Sequence, residues 1–200
     1  MSPRLPTETR QAELVAAALA LASGCSPPLI TTADIAAAVG ISQGAVFKHF
    51  ATKDALWQAA MAWVHTSLLA RLEAAEGRAT GPLDAMRAMF MAHVDFVTAH
   101  PGVPRVLFHE LQNSRASPVK QQVQALMGAY QQRLRRLLAA AADQAPGLAP
   151  GLDLEAAAAL FVGMVQGLVM QAMASGQLAR MSTQAGPMFT LYLRAIGAGR

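Results

Sequence analysis

The chain of 200 residues has one cysteine, Cys25, and only 14% charged residues. A single thiol closes no internal disulfide, and a cysteine-rich zinc centre is excluded with it. A reducing compartment fits. Average soluble domains carry about 25% charged residues, and disorder requires high charge with low hydrophobicity. Here 54% of residues are hydrophobic, so a packed core is expected. Aromatics make up only 6%, and no run of β-branched residues reads as a strand. Alanine, leucine and methionine dominate instead, and these are strong helix formers. The expectation is an all-α fold. No charged-then-apolar secretory pattern follows Met1, which points to the cytoplasm. The net charge of +4 says little about partners, because residues 1–57 hold four basic and four acidic side chains and the surplus lies beyond them.

Helical periodicity runs through nearly the whole chain. A first helix starts at Thr7 and turns Leu14, Val15, Ala18, Leu19 and Ala22 inward. Ser23-Gly24 ends it, and Cys25 to Pro28 reads as a loop because proline restricts its neighbour and lacks an N–H. Thr31 and Asp34, three apart, resemble a capping box opening a short helix from Thr32 to Val39 that stops at Gly40. Ser42 opens a third helix reaching about His49, and Thr52 or a neighbour a long fourth one over 53–76. Further helices are predicted over 83–99, 103–114, 118–144, 154–175 and 184–197, with 143–153 the least regular stretch.

The informative segment is Thr31 to Phe50. Two short helices joined by a glycine turn form a helix-turn-helix. Ile35 and Val39 supply an inner face, Ala36 is small where the helices approach, and Gly40 supplies the positive φ that a sharp turn requires. Ile41 plugs the corner and Val46 points inward. The outward positions of the second helix are then Gln43, Gly44, Ala45, Lys48 and His49, none of them large and apolar. Glutamine bonds adenine bidentately, a small residue lies against a thymine methyl, and lysine takes a phosphate or guanine. Thr31, Thr32 and Ser42 near helix N-termini offer donors to phosphates, as does Lys53 at the start of the fourth helix.

The pieces Thr31-Thr32-Ala33-Asp34-Ile35-Ala36, Gly40-Ile41-Ser42-Gln43-Gly44, Phe47-Lys48-His49-Phe50 and Thr52-Lys53-Asp54-Ala55-Leu56 together resemble the tetracycline-repressor (TetR) family of transcriptional regulators, over about residues 7–60. The resemblance implies a DNA-binding head over 1–56 and a ligand-binding, dimerising body over 57–200. By position, Thr31, Ser42, Gln43, Ala45, Phe47, Lys48, His49 and Lys53 match the family's DNA-facing residues. Phe47 stands where tyrosine is frequent, which removes a hydroxyl contact to phosphate, and the loop from Cys25 to Ile30 is longer than usual.

Other features are weighed against that reading. Gly40-Ile41-Ser42-Gln43-Gly44 also spells the G-x-S-x-G elbow of α/β-hydrolases, but an elbow needs a strand before its serine and here a helix precedes it. No nucleophile, base or metal constellation is evident, so no enzyme, no cofactor and no metal is expected; His93 and His100 are spaced too far apart for a typical zinc pair. Residues 156–179 carry no charge and include Gly163 and Gly167, a GxxxG pair. Gln166 and Gln171 and the missing aromatic or basic anchors argue against a membrane span. Family analogy makes 154–175 and 184–197 the homodimer interface. The methionine-rich body is expected to take a small apolar or amphipathic effector, with Met89, Phe90, His93, Phe108, Met127, Tyr130 and Met164 as candidate lining. The expected function is a repressor released from a pseudo-palindromic operator on double-stranded DNA by that effector. The competing reading is a helical ligand-binding protein with a vestigial head, distinguished by whether Gln43, Lys48 and Lys53 matter for anything.

Overall fold

The chain opens with α1 (Thr7–Leu21) and a single 3₁₀ turn (Pro27–Leu29), then continues through α2 (Thr32–Val39), α3 (Gln43–Val46) and α4 (Lys53–Glu76). There follow α5 (Pro82–Ala99), α6 (Gly102–Gln112), α7 (Pro118–Gln144), α8 (Leu154–Ser175) and α9 (Ala179–Ala195). The computed structural model describes residues 6–112, 114–144 and 148–198, and among these there is no strand. The all-α expectation is met. Residues 145–147 of the stretch expected to be irregular, and Asn113 near the end of the helix expected over 103–114, lie outside the described residues.

The chain divides into two compact units. One comprises residues up to Thr66 together with His100–Gln124, the other Ser67–Ala99 together with Ala125 onward. Helix α4 contributes to both.

In the first unit α1 packs on α2, α2 on α3, and α6 on α1. The inward residues predicted for α1 are all buried, and Ile35, Ala36, Val46, Leu56 and Met61 join them in one core. Each buried leucine, isoleucine, valine or methionine side chain contributes roughly 1.5–3 kcal/mol by leaving water. Helix α6 presses so closely on α1 that a Cβ built on Gly102 falls 1.9 Å from the Leu19 carbonyl oxygen. Only glycine fits there.

In the second unit α5 packs on α8 and α9, and α8 on α9. Its core is a ring cluster: Phe90 lies 5.3 Å from Phe161 and 5.6 Å from Phe189, and Tyr192 lies 5.7 Å from both Phe161 and Phe189. Tyr192 Oη donates to the Ala157 carbonyl at 3.0 Å, which satisfies the one polar group in the cluster and ties α9 to α8. Burial raises its phenol pKa. Asp153 caps α8 by accepting from the Glu155 and Ala156 amides at 2.9 and 3.1 Å, and Gly176 ends it with φ +68°. At the far end of α4, Glu76 receives Arg136 at 2.6 Å and Arg133 at 3.4 Å, both from α7. Helix α8 is long and apolar enough to cross a membrane by length and composition. In the fold one face of it is buried, with Phe161, Val165 and Leu168 in the core.

Helix α1 begins at Thr7 as expected, with Pro6 as its N-cap and no side-chain cap bond among the described residues. Two boundaries differ from the sequence reading by three residues or more. Helix α3 ends at Val46 rather than near His49, because Lys48 and His49 bond three residues back, to Ala45 and Val46, in the tighter 3₁₀ pattern. Helix α9 begins at Ala179, five residues earlier than expected, and runs through Pro187. Proline there removes one intrahelical bond without ending the helix.

Candidate nucleic-acid interface

The two short helices at the head are set by local chemistry. The Thr31 hydroxyl accepts from the Asp34 amide at 3.1 Å, while Asp34 Oδ2 accepts from the Thr31 amide at 2.8 Å and its hydroxyl at 2.7 Å, a complete capping box. Those hydrogen bonds, led by the hydroxyl, and the nearby Lys53 charge hold the Asp34 carboxyl below its ordinary pKa. Gly40 adopts φ +73°. Its amide reaches Ala37 O at 3.1 Å and that of Ile41 reaches Ala36 O at 3.0 Å, which closes a Schellman turn. The chain therefore enters α3 at a fixed angle.

Thr31, Ser42, Gln43, Gly44, Phe47 and Lys48 are exposed, whereas Ala45, His49 and Lys53 are half-buried. Ser42 precedes α3 without a side-chain cap bond, so its hydroxyl is uncommitted. The Lys48 ammonium has no hydrogen bond or ion pair to the described residues. Phe47 shows 47% of its surface, an aromatic ring held in water just past the end of α3. A Cβ on Gly44 meets nothing within 4 Å. The protein itself leaves room there for alanine, the better helix former.

Thr32 stands apart from the other positions. It is only 9% exposed, and its hydroxyl accepts from Gln43 Nε2 at 2.9 Å. It orients Gln43 from behind. The His49 carbonyl accepts from Gln11 Nε2 at 3.0 Å, and the buried His49 Nδ1 has no partner among the described residues. Lys53 Nζ donates to the Pro28 carbonyl at 2.9 Å, joining the long loop to the start of α4. Sequence reasoning missed Gln11 and Pro28 because both act across dozens of residues with no motif to mark them.

The candidate effector residues fall in different places. Phe108 lies in the first unit, and Met89, Phe90, His93, Met127, Tyr130 and Met164 lie in the second. Met89, Phe90 and Tyr130 are fully buried, and His93 Nδ1 lies 3.2 Å from Tyr130 Oη. No group of three or more His, Cys, Asp or Glu among the described residues is placed to hold a metal.

Burial lowers the His93 pKa from 6.5 to about 4. Above pH 6.5 the ring is neutral whether the chain is folded or not. Between the two values the unfolded chain takes up a proton that the folded one refuses, so stability falls as pH falls. The expected loss from pH 7 to pH 4 is on the order of 2 kcal/mol. Urea unfolding at the two pH values checks this: the difference shrinks in His93→Gln, and an equal difference in both proteins contradicts it.

Residues 14–60 match the family model of bacterial regulatory proteins of the tetR family. The likeness to that family lies in the head. Beyond it, the whole chain shares the fold of solved regulators. The fatty acid degradation regulator FadR from Bacillus halodurans superposes with a TM-score of 0.80 at 16% identity, covering 96% of this chain and 97% of that one. FadR from Bacillus subtilis, solved in complex with stearoyl-CoA, gives 0.77 at 15% identity over 90% and 96%. Among curated relatives, nucleoid occlusion factor SlmA of Shewanella amazonensis is 27% identical over 109 residues, 54% of this chain and 55% of that protein. The matched stretch thus spans about half that relative's length. The tetR-family match contains α2, the Gly40 turn and α3 entire, which are the elements whose caps and exposed side chains are given above.

Proposed function

We propose that the chain is a cytoplasmic transcriptional regulator that binds a pseudo-palindromic operator as a homodimer and is released by a small apolar or amphipathic effector. The observation that carries this reading is the head: a capped, glycine-turned pair of helices presenting Ser42, Gln43, Gly44, Phe47 and Lys48 to solvent. The surface is polar, contains a free cation and has no acid between Ser42 and Lys53. Gln43, Ala45 and Phe47 read base edges, Gly44 allows close approach, and Thr31, Ser42, Lys48, His49 and Lys53 hold phosphates, while Thr32 positions Gln43.

One head makes too few contacts for useful specificity, so two must act together. Ala156, Leu160, Gly163, Gln166, Gly167, Met170 and Ala174 recur along one face of α8; Gly167 is half-buried and the others exposed. A Cβ on Gly163 or Gly167 meets nothing within 4 Å among the described residues, so no contact with them explains these glycines. On α9, Pro187, Leu191 and Arg194 continue an exposed face. A second copy packing on α8 and α9 accounts for both. The effector binds among α5, α7 and α8, where His93 and Tyr130 supply the polar pair in an otherwise apolar interior; the solved complex of the Bacillus subtilis relative with stearoyl-CoA supports an amphipathic ligand. Release requires that the effector bind the DNA-free state better, by reciprocity of coupling.

Selection of bound fragments from the source genome, followed by anisotropy titration at two salt concentrations, tests the reading. One enriched pseudo-palindrome with a steep salt dependence is expected, and equal weak binding to all fragments contradicts it. On the selected duplex, Lys48→Ala lowers the salt slope by roughly one unit and weakens all sequences alike. Gln43→Ala costs about 1–3 kcal/mol at one base position only. Unaltered sequence preference in Gln43→Ala removes it from the base-reading set.

A further inference from the structure

A cleft of about 290 Å³ lies within the first unit, separate from the effector residues of the second. The 3₁₀ turn walls it with Pro27 and Pro28, and α6 and the start of α7 close the opposite side with Val106 and Val119. Its size is near the lower end for small-molecule sites. Helix α4 lines it with Lys53, Asp54, Trp57 and Gln58, which share one helical face.

Two carboxylates, the Lys53 ammonium and the His109 imidazole belong to this lining, and the ammonium donates to the Pro28 carbonyl. Asp54 is exposed and has no hydrogen bond or ion pair to the described residues. Glu110 is held by the Ser117 hydroxyl, which also caps α7 by accepting from the Lys120 amide at 2.9 Å. That bond uses one carboxylate oxygen and fixes the group in place. Trp57 is nine-tenths buried with its remaining surface in the cleft, and its indole N–H makes no hydrogen bond to the described residues. An unpaired carboxylate, a fixed one and an aromatic ring within apolar walls suit a cationic head on an apolar body, since carboxylates and ring faces both attract such a charge.

We propose that this cleft binds a small organic cation, a primary ammonium or guanidinium on a short apolar body. Asp54 and Glu110 take the head, and Trp57, Val106 and the two prolines enclose the body. The assignment does not depend on DNA binding, and its test uses no DNA.

The test is calorimetric titration of the full chain with phenethylammonium, and with 2-phenylethanol as its neutral analogue. The cation binds saturably at one site per chain, at least tenfold tighter than the alcohol. Asp54→Asn and Glu110→Gln each weaken it about tenfold, while Asp95→Asn, in the other unit, leaves it unchanged. Circular dichroism confirms that each variant keeps its helices, and Trp57→Phe, which keeps an aromatic ring, weakens the cation less than either carboxylate change. Absence of saturable binding, equal affinity for the alcohol, or an equal loss in Asp95→Asn overturns the proposal.

Discussion

Gly102→Ala is expected to destabilise the protein more than any other single methyl group added to it. The new Cβ would sit 1.9 Å from the Leu19 carbonyl oxygen and 3.0 Å from the Ser23 nitrogen, all backbone atoms of α1 and its end. No rotamer change relieves a clash with backbone, so α6 must lift from α1. Overpacking costs about 1–3 kcal/mol and occasionally more, and this site belongs at the upper end. For a chain of this size about 3 kcal/mol lowers the melting midpoint by roughly 6–12 °C. Because α1 also carries Gln11, which holds the His49 carbonyl beside α3, operator affinity should fall with it. Thermal unfolding of Gly102→Ala checks the first part, and a midpoint within a degree of wild type contradicts it.

The double variant Gly163→Leu, Gly167→Leu should act in the opposite way on fold and assembly. Each site is open within the chain, and leucine favours a helix over glycine by up to about 1 kcal/mol. Helix content should therefore be kept. Against a second copy of α8, however, the new side chains hold the backbones apart. Sedimentation velocity should show wild-type dimer and variant monomer at the same micromolar concentration. Operator affinity should drop by about 100-fold or more, the usual gain from linking two binding modules. A variant that stays dimeric and binds as tightly as wild type places the interface elsewhere.

What was legible in the sequence was local. Thr31 and Asp34, three apart, announce the capping box, and Gly40 announces the turn, because each acts through its own backbone neighbours. The exposed side of α3 followed from these, and the inward residues of α1 from their own helical spacing. What was not legible depends on how helices meet. Thr32 looked like a phosphate donor until α3 brought Gln43 against it, eleven residues on. Gly102, next to Pro101, reads as loop punctuation, yet its reason lies on α1. The last helix, expected from residue 184, begins five residues earlier at Ala179. The cleft at Asp54 gathers residues 27–28, 53–58 and 106–119, which no spacing rule connects. Periodicity marked Phe90 and Tyr130 as helical and apolar without saying that they sit wholly in the core.

The measurement that bears most directly on the account is hydroxyl-radical footprinting of the wild-type chain on its selected duplex. Two heads joined through α8 and α9 predict two protected patches related by a dyad, centred about 34–36 Å apart along one face of the duplex. A single patch, or uniform protection without a dyad, contradicts it.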